Sequence, residues 1–361
     1  MKPFALSLLT LSTALACGGP QGPAQTSAPA PAPAPEPATG SVAAASAPAP
    51  APAPAPAPEP SPEEKKKEEK KKLEADRQKM LADHQAEVAR LTPELRAQAK
   101  TLAEKAYPSG RAAIEAALAG KHRKPGNAAR DAQRHPRETL EFFGFKPTMT
   151  VLEYGPGEGW YTEILAPALA KKGKLIVTTS DPNGPIDQRS TLYGQRTKLF
   201  LERAPEVYGK VEAALVDSKN PDLTLDGKVD LVIVCRGLHG MVNNNVLPRW
   251  LAEFHAALKP NGALGVEQHR AKPDADPVAS SKQGYLPEKW VIEQIEAAGF
   301  KLAGKSEVNA NPKDTKDHPE GVWSLPPTLR QGDKDRDKYL AIGESDRMTL
   351  KFVKVAKPPA K

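Results

Sequence analysis

A glycine-rich segment near the middle of the chain carries the residues best suited to hold a ligand. Glu153 is followed at two-residue intervals by Gly155, Gly157 and Gly159, and a run with helical character then continues to Leu169. Glycines at this spacing let the chain turn sharply and let a ligand touch the backbone. The start of a helix offers free N–H groups to a carboxylate or a phosphate. The segment therefore predicts a binding site where a strand passes into a helix.

The glycine spacing also discriminates between cofactors. A dinucleotide-binding fingerprint of the form Gly-x-Gly-x-x-Gly would need glycines at positions 155, 157 and 160. Position 160 is Trp160, and the third glycine stands one residue earlier. The segment therefore does not fit a dinucleotide site.

The elements that must position this segment follow from the alternation of apolar runs and helical patterns. Strands are predicted near 149–154, 174–179, 211–216, 229–235, 262–268, 300–307 and 347–354, with helices between most of them. Such alternation is typical of a parallel sheet that is covered by helices on both faces. The run Val229–Cys235 is nearly all apolar, as expected of a central buried strand.

The order acid-x-Gly-x-Gly-x-Gly over residues 153–159 resembles motif I of class I S-adenosylmethionine-dependent methyltransferases. Further segments resemble a bacterial family of predicted methyltransferases, namely residues 134–143, 146–147, 157–166, 258–260, 269–271 and 343–347. The resemblance implies an α/β, Rossmann-like class I methyltransferase fold, with a seven-stranded, mostly parallel sheet and helices on both faces. It also implies S-adenosyl-L-methionine as the cofactor, but no particular substrate.

The same resemblance assigns cofactor-binding roles to residues after the first three strands. Glu153 would face the methionine amino group, and the backbone of Gly155, Gly157 and Gly159 would pack against the amino-acid moiety. Asp181 would bind the ribose hydroxyls, although it lies two residues later than the acid that normally does so; alternatively it only forms a turn. Asp217 would bind the adenine amino group, or it is a surface residue at the start of a loop.

The resemblance places the methyl acceptor at the ends of the fourth and fifth strands, where His239, Glu267, His269 and Arg270 are the candidate catalytic residues. His239 either removes a proton from a hydroxyl or amine acceptor or is a structural residue that caps a loop. Arg270 either binds an anionic group of the substrate or pairs with Glu267. The connection over residues 306–342 is long, and we expect it to cover the acceptor together with the helices before the first strand.

Several other functions are excluded by what the sequence lacks. The motifs of adenine-N6 and cytosine-C5 methyltransferases are missing, and the charges of residues 92–361 are mixed although they carry the whole net charge of +7. We therefore expect no nucleic-acid partner. No cluster of His, Cys and carboxylate side chains has metal-ligand spacing, and no Gly-x-Ser-x-Gly elbow indicates a hydrolase.

The N-terminus has the features of an export signal. A short charged start is followed by an apolar run and by Ala14-Leu15-Ala16-Cys17, which resembles a bacterial lipobox. Residues 1–16 are then a lipoprotein signal peptide, and a lipid on Cys17 would anchor the mature protein to the cell envelope from outside the cytoplasm. The alternative is an ordinary secretory signal in which the cysteine is incidental.

The organisation of the remaining chain follows from its composition. Residues 17–62 hold 15 of the 38 prolines, so they are predicted to form a disordered Ala/Pro-rich tether. Residues 63–91 are predicted to be a charged, solvated helical linker, because lysines follow glutamates at favourable helical spacing. Residues 92–357 would form the methyltransferase-like domain. Cys235 then has no partner for a disulfide.

Two functions are compatible with these features. The first is methyl transfer from S-adenosylmethionine to an unidentified small-molecule or envelope acceptor. The second is a catalytically silent methyltransferase fold that binds a ligand or a partner. Export favours the second, because S-adenosylmethionine is made in the cytoplasm, whereas the retained residues of motif I and Asp217 favour the first.

Overall fold

The structure, a computed structural model, describes residues 61–355 of the 361-residue chain. The predicted signal peptide, Cys17, the tether up to residue 60 and the last two residues of the predicted domain lie outside the described residues. Within residues 61–355, no helix combines the length and the apolar character that crossing a membrane requires.

The centre of the fold is a seven-stranded sheet with the strand order β3-β2-β1-β4-β5-β7-β6. Strands β1 to β5 run parallel to one another, and β7 is antiparallel to both β5 and β6. The strands are β1 Thr150–Tyr154, β2 Lys174–Thr179, β3 Glu212–Leu215, β4 Val229–Cys235, β5 Leu258–His269, β6 Phe300–Ser306 and β7 Arg347–Lys354. The predicted fold class, a seven-stranded and mostly parallel sheet, is confirmed.

Helices precede the sheet and cover it. They are α1 Pro62–Arg90, α2 Pro93–Glu104, α3 Gly110–Leu118, α4 Pro125–Ala128, α5 Asp131–Arg134, α6 Pro136–Phe143, α7 Thr162–Leu169, α8 Arg189–Glu202, α9 Pro205–Tyr208, α10 Leu238–Asn243, α11 Leu247–Ala257, α12 Pro277–Ser281, α13 Glu288–Ala297 and α14 Arg336–Ile342. A 3₁₀ turn spans Gly321–Ser324. The longest connection between strands, from β6 to β7, is the long segment expected from the sequence.

The two faces of the sheet bury separate apolar cores. Successive side chains of a strand point to opposite faces, so Val151 packs with helices α2, α3, α7 and α9 while Leu152 packs with α10, α11 and α13. In β4, Leu231 and Val232 are both fully buried, one on each face. The sheet is therefore covered on both sides, and the carboxyl ends of β1, β4 and β5 meet at one edge.

Helix α1 differs from the predicted solvated linker. Its residues Leu73 and Met80 are seven positions apart and are buried against Leu192 and Leu199 of α8. Arg77 donates a hydrogen bond to the carbonyl of the loop that precedes α8, at 2.5 Å. Sequence composition alone did not reveal this contact, because an apolar stripe with so few members is also compatible with a free helix.

We expect Met80→Ala to lower the free energy of unfolding by about 1–2 kcal/mol, because it removes one of the two buried side chains by which α1 packs on α8. The adjacent Leu81 is 39% exposed and provides the matched control. Leu81→Ala should change stability by no more than about 0.5 kcal/mol. Urea unfolding of both variants tests this, and equal effects would mean that α1 does not dock in solution.

Candidate active site

The glycine-rich loop between β1 and α7 has the geometry of a ligand cradle. Gly155, Gly157 and Gly159 have φ values of 55°, 60° and 81°, which side chains other than glycine rarely adopt. A Cβ atom at Gly155 or Gly157 would meet nothing within 4 Å, so a ligand can approach the backbone there. A Cβ at Gly159 would lie 2.0 Å from the ring of Phe200, so this glycine is required for packing on α8.

Glu153 lies at the end of β1 behind this loop. Its side chain is buried, and its Oε2 accepts a hydrogen bond of 2.8 Å from the hydroxyl of Thr162 in the first turn of α7. Burial raises the pKa of this carboxyl to about 7, although Thr162 and the charge of Arg236 lower it. A bound cation would favour the ionised form, so the carboxyl is suited to an ammonium group.

Asp181 and Asp217 lie on exposed loops after β2 and β3. Asp181 Oδ1 accepts the N–H of Asn183 at 2.8 Å, and Asp217 Oδ1 accepts the N–H of Lys219 at 2.9 Å. Both therefore form turns, as in the alternative for Asp181, and Asp217 is exposed at the start of its loop, as in its own alternative. Their cofactor-binding roles stay predictions. The sequence did not point to Thr178, whose hydroxyl accepts the N–H of Gly155 at 2.9 Å and ties the glycine loop to β2.

The fold brings His239 and His269 together. His239 is in the first turn of α10, and its ring centre lies 5.8 Å from that of His269, at the end of β5. Burial lowers the pKa of both imidazoles, that of His269 well below its usual value, so both are neutral at pH 7. His269 Nδ1 lies 2.5 Å from the hydroxyl of Ser345. The pair lies at the carboxyl end of the sheet, with His239 half-buried and His269 buried.

The protonation of His239 follows from its neighbour Gln268. The Gln268 amide nitrogen donates to the carbonyl of Gly284 at 2.9 Å, which fixes the orientation of the amide. The same nitrogen lies 3.4 Å from Nδ1 of His239 and 3.5 Å from the carbonyl of His269, and we take Nδ1 as the acceptor of the second N–H because it is the nearer of the two. The imidazole proton is therefore assigned to Nε2. In this tautomer the Nε2–H of His239 can act as a hydrogen-bond donor, and the role of a base stays a prediction.

Glu267 is not on the open rim, where the sequence placed it. It is fully buried and receives a hydrogen bond of 3.0 Å from the Tyr161 hydroxyl. Its Oε1 lies 3.2 Å from Arg236 Nη1 and 2.8 Å from Arg347 Nε. Burial would raise the pKa of Glu267, but Arg236 and Arg347 hold it below its usual value. Glu267 is thus a buried counter-ion with no direct access to a substrate.

Arg270 has neither of its two predicted roles. Its guanidinium lies 3.1 Å from Glu288, 3.3 Å from Asp346 and 2.5 Å from Glu307. Because it follows His269 directly, it points to the other side of the strand end, away from Glu267. Three carboxylates occupy its donors, so it is not free to bind an anionic substrate.

A group of buried ion pairs that sequence analysis missed surrounds Glu267. It comprises Arg134, Arg236 and Arg347 with the carboxylates of Glu267 and Glu344, and it is called the arginine cluster below. Arg134 and Arg347 lie in segments 134–143 and 343–347, which resemble the methyltransferase family. That resemblance could have pointed to Arg134 and Arg347. For Arg236, the only indication in the sequence was its position in the loop after β4.

The connection from β6 to β7 packs over this end of the sheet. The ring centre of Trp323 lies 6.0 Å from that of His239, and the guanidinium carbon of Arg330 lies 4.8 Å above the Trp323 ring centre. On the other side, Arg134 of α5 is 2.8 Å from Glu344. The connection and the helices before β1 therefore meet beside the two histidines, as expected of a cover for the site.

Residues 128–298, just under half of the chain, match a protein-family model described as a methyltransferase domain. This stretch contains the glycine loop, Glu153 and both histidines. Together with the sheet topology, the match identifies this region as a domain with the class I methyltransferase fold. It supports S-adenosylmethionine as the cofactor. No curated protein matches the chain in sequence.

Solved structures with a similar arrangement include a SAM-dependent methyltransferase from Aquifex aeolicus, with 19% identity over 64% of this chain and 94% of that chain and a TM-score of 0.42. A 1,6-didemethyltoxoflavin-N1-methyltransferase from Burkholderia thailandensis has 15% identity, with 64% of this chain and 83% of that chain covered and a TM-score of 0.38. A geranyl diphosphate methyltransferase in complex with SAM has 13% identity, with 67% of this chain and 95% of that chain covered and a TM-score of 0.42.

Proposed function

We propose that the protein is an S-adenosylmethionine-dependent methyltransferase that acts on a small-molecule or envelope acceptor. The observation that carries the proposal is the glycine loop, whose backbone at Gly155 and Gly157 faces unoccupied space beside the buried carboxyl of Glu153. The neutral histidines His239 and His269 lie at the neighbouring strand ends, as an acceptor site requires. The family match supports the same activity.

The described residues fit the chemical groups of this cofactor. Glu153 would hold the ammonium group, and the backbone of Gly155 and Gly157 would hold the amino-acid moiety. When bound, S-adenosylmethionine supplies a methyl group already activated by a positive sulfur. The protein then needs to orient the acceptor and exclude water, and we assign these roles to His239 and Trp323, whose ring centres lie 6.0 Å apart.

Calorimetry with S-adenosylhomocysteine and the full-length protein tests the cofactor site. The expected result is a dissociation constant in the micromolar range, and incubation of labelled S-adenosylmethionine with envelope extract should transfer label to an acceptor. Undetectable binding at millimolar ligand would contradict the proposal and favour a silent fold that binds another ligand or partner.

We expect cofactor affinity to fall about tenfold per pH unit below pH 7 and to be level just above it. The free carboxyl of Glu153 has a pKa of about 7, and an ammonium ligand binds its ionised form, so protonation at lower pH competes with binding. Calorimetry between about pH 5.5 and 8 measures this slope.

The variant Glu153→Gln should bind the cofactor weakly with little dependence on pH. Glu158→Gln is the control, because Glu158 is an exposed carboxylate on the same loop, and it should keep the slope of the wild type. A slope that survives in Glu153→Gln would show that another group controls cofactor binding.

We propose further that the protein is exported and anchored to the cell envelope by a lipid on Cys17. The support is the sequence Ala14-Leu15-Ala16-Cys17 after an apolar run, followed by a Pro-rich stretch long enough to act as a spacer. The active domain would then face the periplasm or the cell surface.

A further inference from the structure

The arginine cluster contains more positive than negative charge. The guanidinium groups of Arg134, Arg236 and Arg347 share the carboxylates of Glu267 and Glu344, with ion-pair distances of 2.8 to 3.2 Å. Burying an unmatched positive charge is unfavourable unless an anion or solvent compensates it. One arginine of the three is therefore available to bind an anion.

That arginine is Arg236. Its side chain is 22% exposed, whereas those of Arg134 and Arg347 are 5% and 1% exposed. Among the described residues its guanidinium makes one hydrogen bond, from Nη1 to Glu267, which leaves donors at Nε and Nη2. Its φ of 56° redirects the chain directly after β4, at the point where the strand meets the site.

Arg236 is also central to the candidate site. Its charge acts on the carboxyl of Glu153 and on the imidazoles of His239 and His269. Arg236 also directly follows β4 and lies three residues before His239, so an anion on its free donors would be held at the strand end that carries this histidine. This is where the acceptor must be placed for transfer.

Each candidate base of the same site already contacts a neighbouring group among the described residues. Glu267 is ionised but shared between Tyr161, Arg236 and Arg347. His239 carries its proton on Nε2, facing away from Gln268, and His269 is hydrogen-bonded to Ser345. An acceptor oxygen that arrives already ionised would need no base.

We infer that the acceptor is a carboxylic acid, bound as its carboxylate by the free donors of Arg236 and methylated to a methyl ester. This inference rests on the proposed function. One carboxylate oxygen forms a bond to the methyl carbon while the bond from that carbon to sulfur breaks, and the electron pair stays on sulfur. The products are a neutral ester and S-adenosylhomocysteine, and no proton is released.

A matched pair of probes tests the binding step. The full-length protein is first titrated with S-adenosylhomocysteine and then, in its presence, with benzoate and with benzamide, which differ mainly in charge. Benzoate should bind at least about tenfold more tightly than benzamide. If S-adenosylhomocysteine does not bind, the proposed function fails. If it binds but the protein binds benzoate no more tightly than benzamide, only the present inference fails.

The variant Arg236→Gln keeps a donor for Glu267 but removes the charge. It should abolish the preference for benzoate. Because the charge of Arg236 lowers the pKa of Glu153, cofactor affinity is compared at about pH 8.5, where Glu153 is ionised in both proteins, and there it should stay within about twofold. Arg270→Gln is the control. Arg270 directly follows β5, the strand next to β4, but its donors are occupied by three carboxylates, so this variant should keep the preference for benzoate. A preference that persists in Arg236→Gln, or a loss of cofactor affinity in that variant, would overturn the inference.

The chemistry of the product gives a separate test. Methyl esters are hydrolysed by mild alkali to methanol, whereas methyl ethers and N-methyl groups are stable. After incubation of methyl-labelled S-adenosylmethionine with protein and envelope extract, the transferred label should become volatile on alkaline treatment. Transferred label that resists alkali would overturn the inference while leaving methyl transfer established.

Discussion

Gly157→Val is expected to weaken S-adenosylhomocysteine binding by about a hundredfold or more, which corresponds to about 2.7 kcal/mol. The backbone at Gly157 has a φ of 60°, and the space above it is empty of protein atoms. A branched side chain there would occupy the space that the ligand needs and would strain the turn. Calorimetry of the variant and the wild type measures the difference in affinity.

The variant Gly227→Val is the control for backbone strain, because it introduces the same strained φ without altering the glycine loop. Gly227 has a φ of 63°, and its Cβ would likewise meet nothing within 4 Å, but it lies before β4 at the opposite end of the strands. The two variants should lose similar stability in thermal unfolding, while only Gly157→Val should lose affinity. Equal affinity in both variants would show that the glycine loop does not contact the ligand.

His239→Ala is expected to lower turnover by about 10²-fold while leaving cofactor affinity within about twofold. In the proposed function the Nε2–H of His239 donates to an acceptor oxygen, so its loss would misplace the acceptor without affecting the glycine loop. Turnover is measured as transfer of label from S-adenosylmethionine to the envelope acceptor. Because the imidazole is neutral and acts as a donor, the pH profile of the remaining activity should be unchanged.

His255→Ala is the matched control for this variant. His255 is also half-buried and hydrogen-bonded, at 3.0 Å to the carbonyl of Val355, but it lies on α11 at the edge of the sheet where β6 begins and β7 ends, opposite the carboxyl ends of β4 and β5. Its replacement should affect stability alone. If His239→Ala retained full turnover, His239 would be a structural residue, and His269 would be the next candidate at the site.

The pattern of the sequence was sufficient to predict the sheet and the cradle. Six of the seven predicted strands lie within about two residues of the observed ones, because buried parallel strands such as Val229–Cys235 are continuous apolar runs. β5 begins four residues earlier than predicted, at Leu258, because its start includes the polar residues of a turn-like segment. The glycine loop was predictable because the left-handed backbone at Gly155 and Gly157 leaves a direct trace in residue type.

Tertiary structure alone decided which charged residues remain available for chemistry. The sequence treated Glu267 and Arg270 as equivalent residues of one rim, yet Glu267 is buried among arginines and Arg270 is held by three carboxylates. Their partners come from other elements, for example Arg347 from β7, about 80 residues away in the chain. The free donors of Arg236 and the docking of α1 on α8 likewise follow from contacts in the folded chain. Ion pairing and burial depend on contacts between distant segments, which residue type and local spacing do not encode.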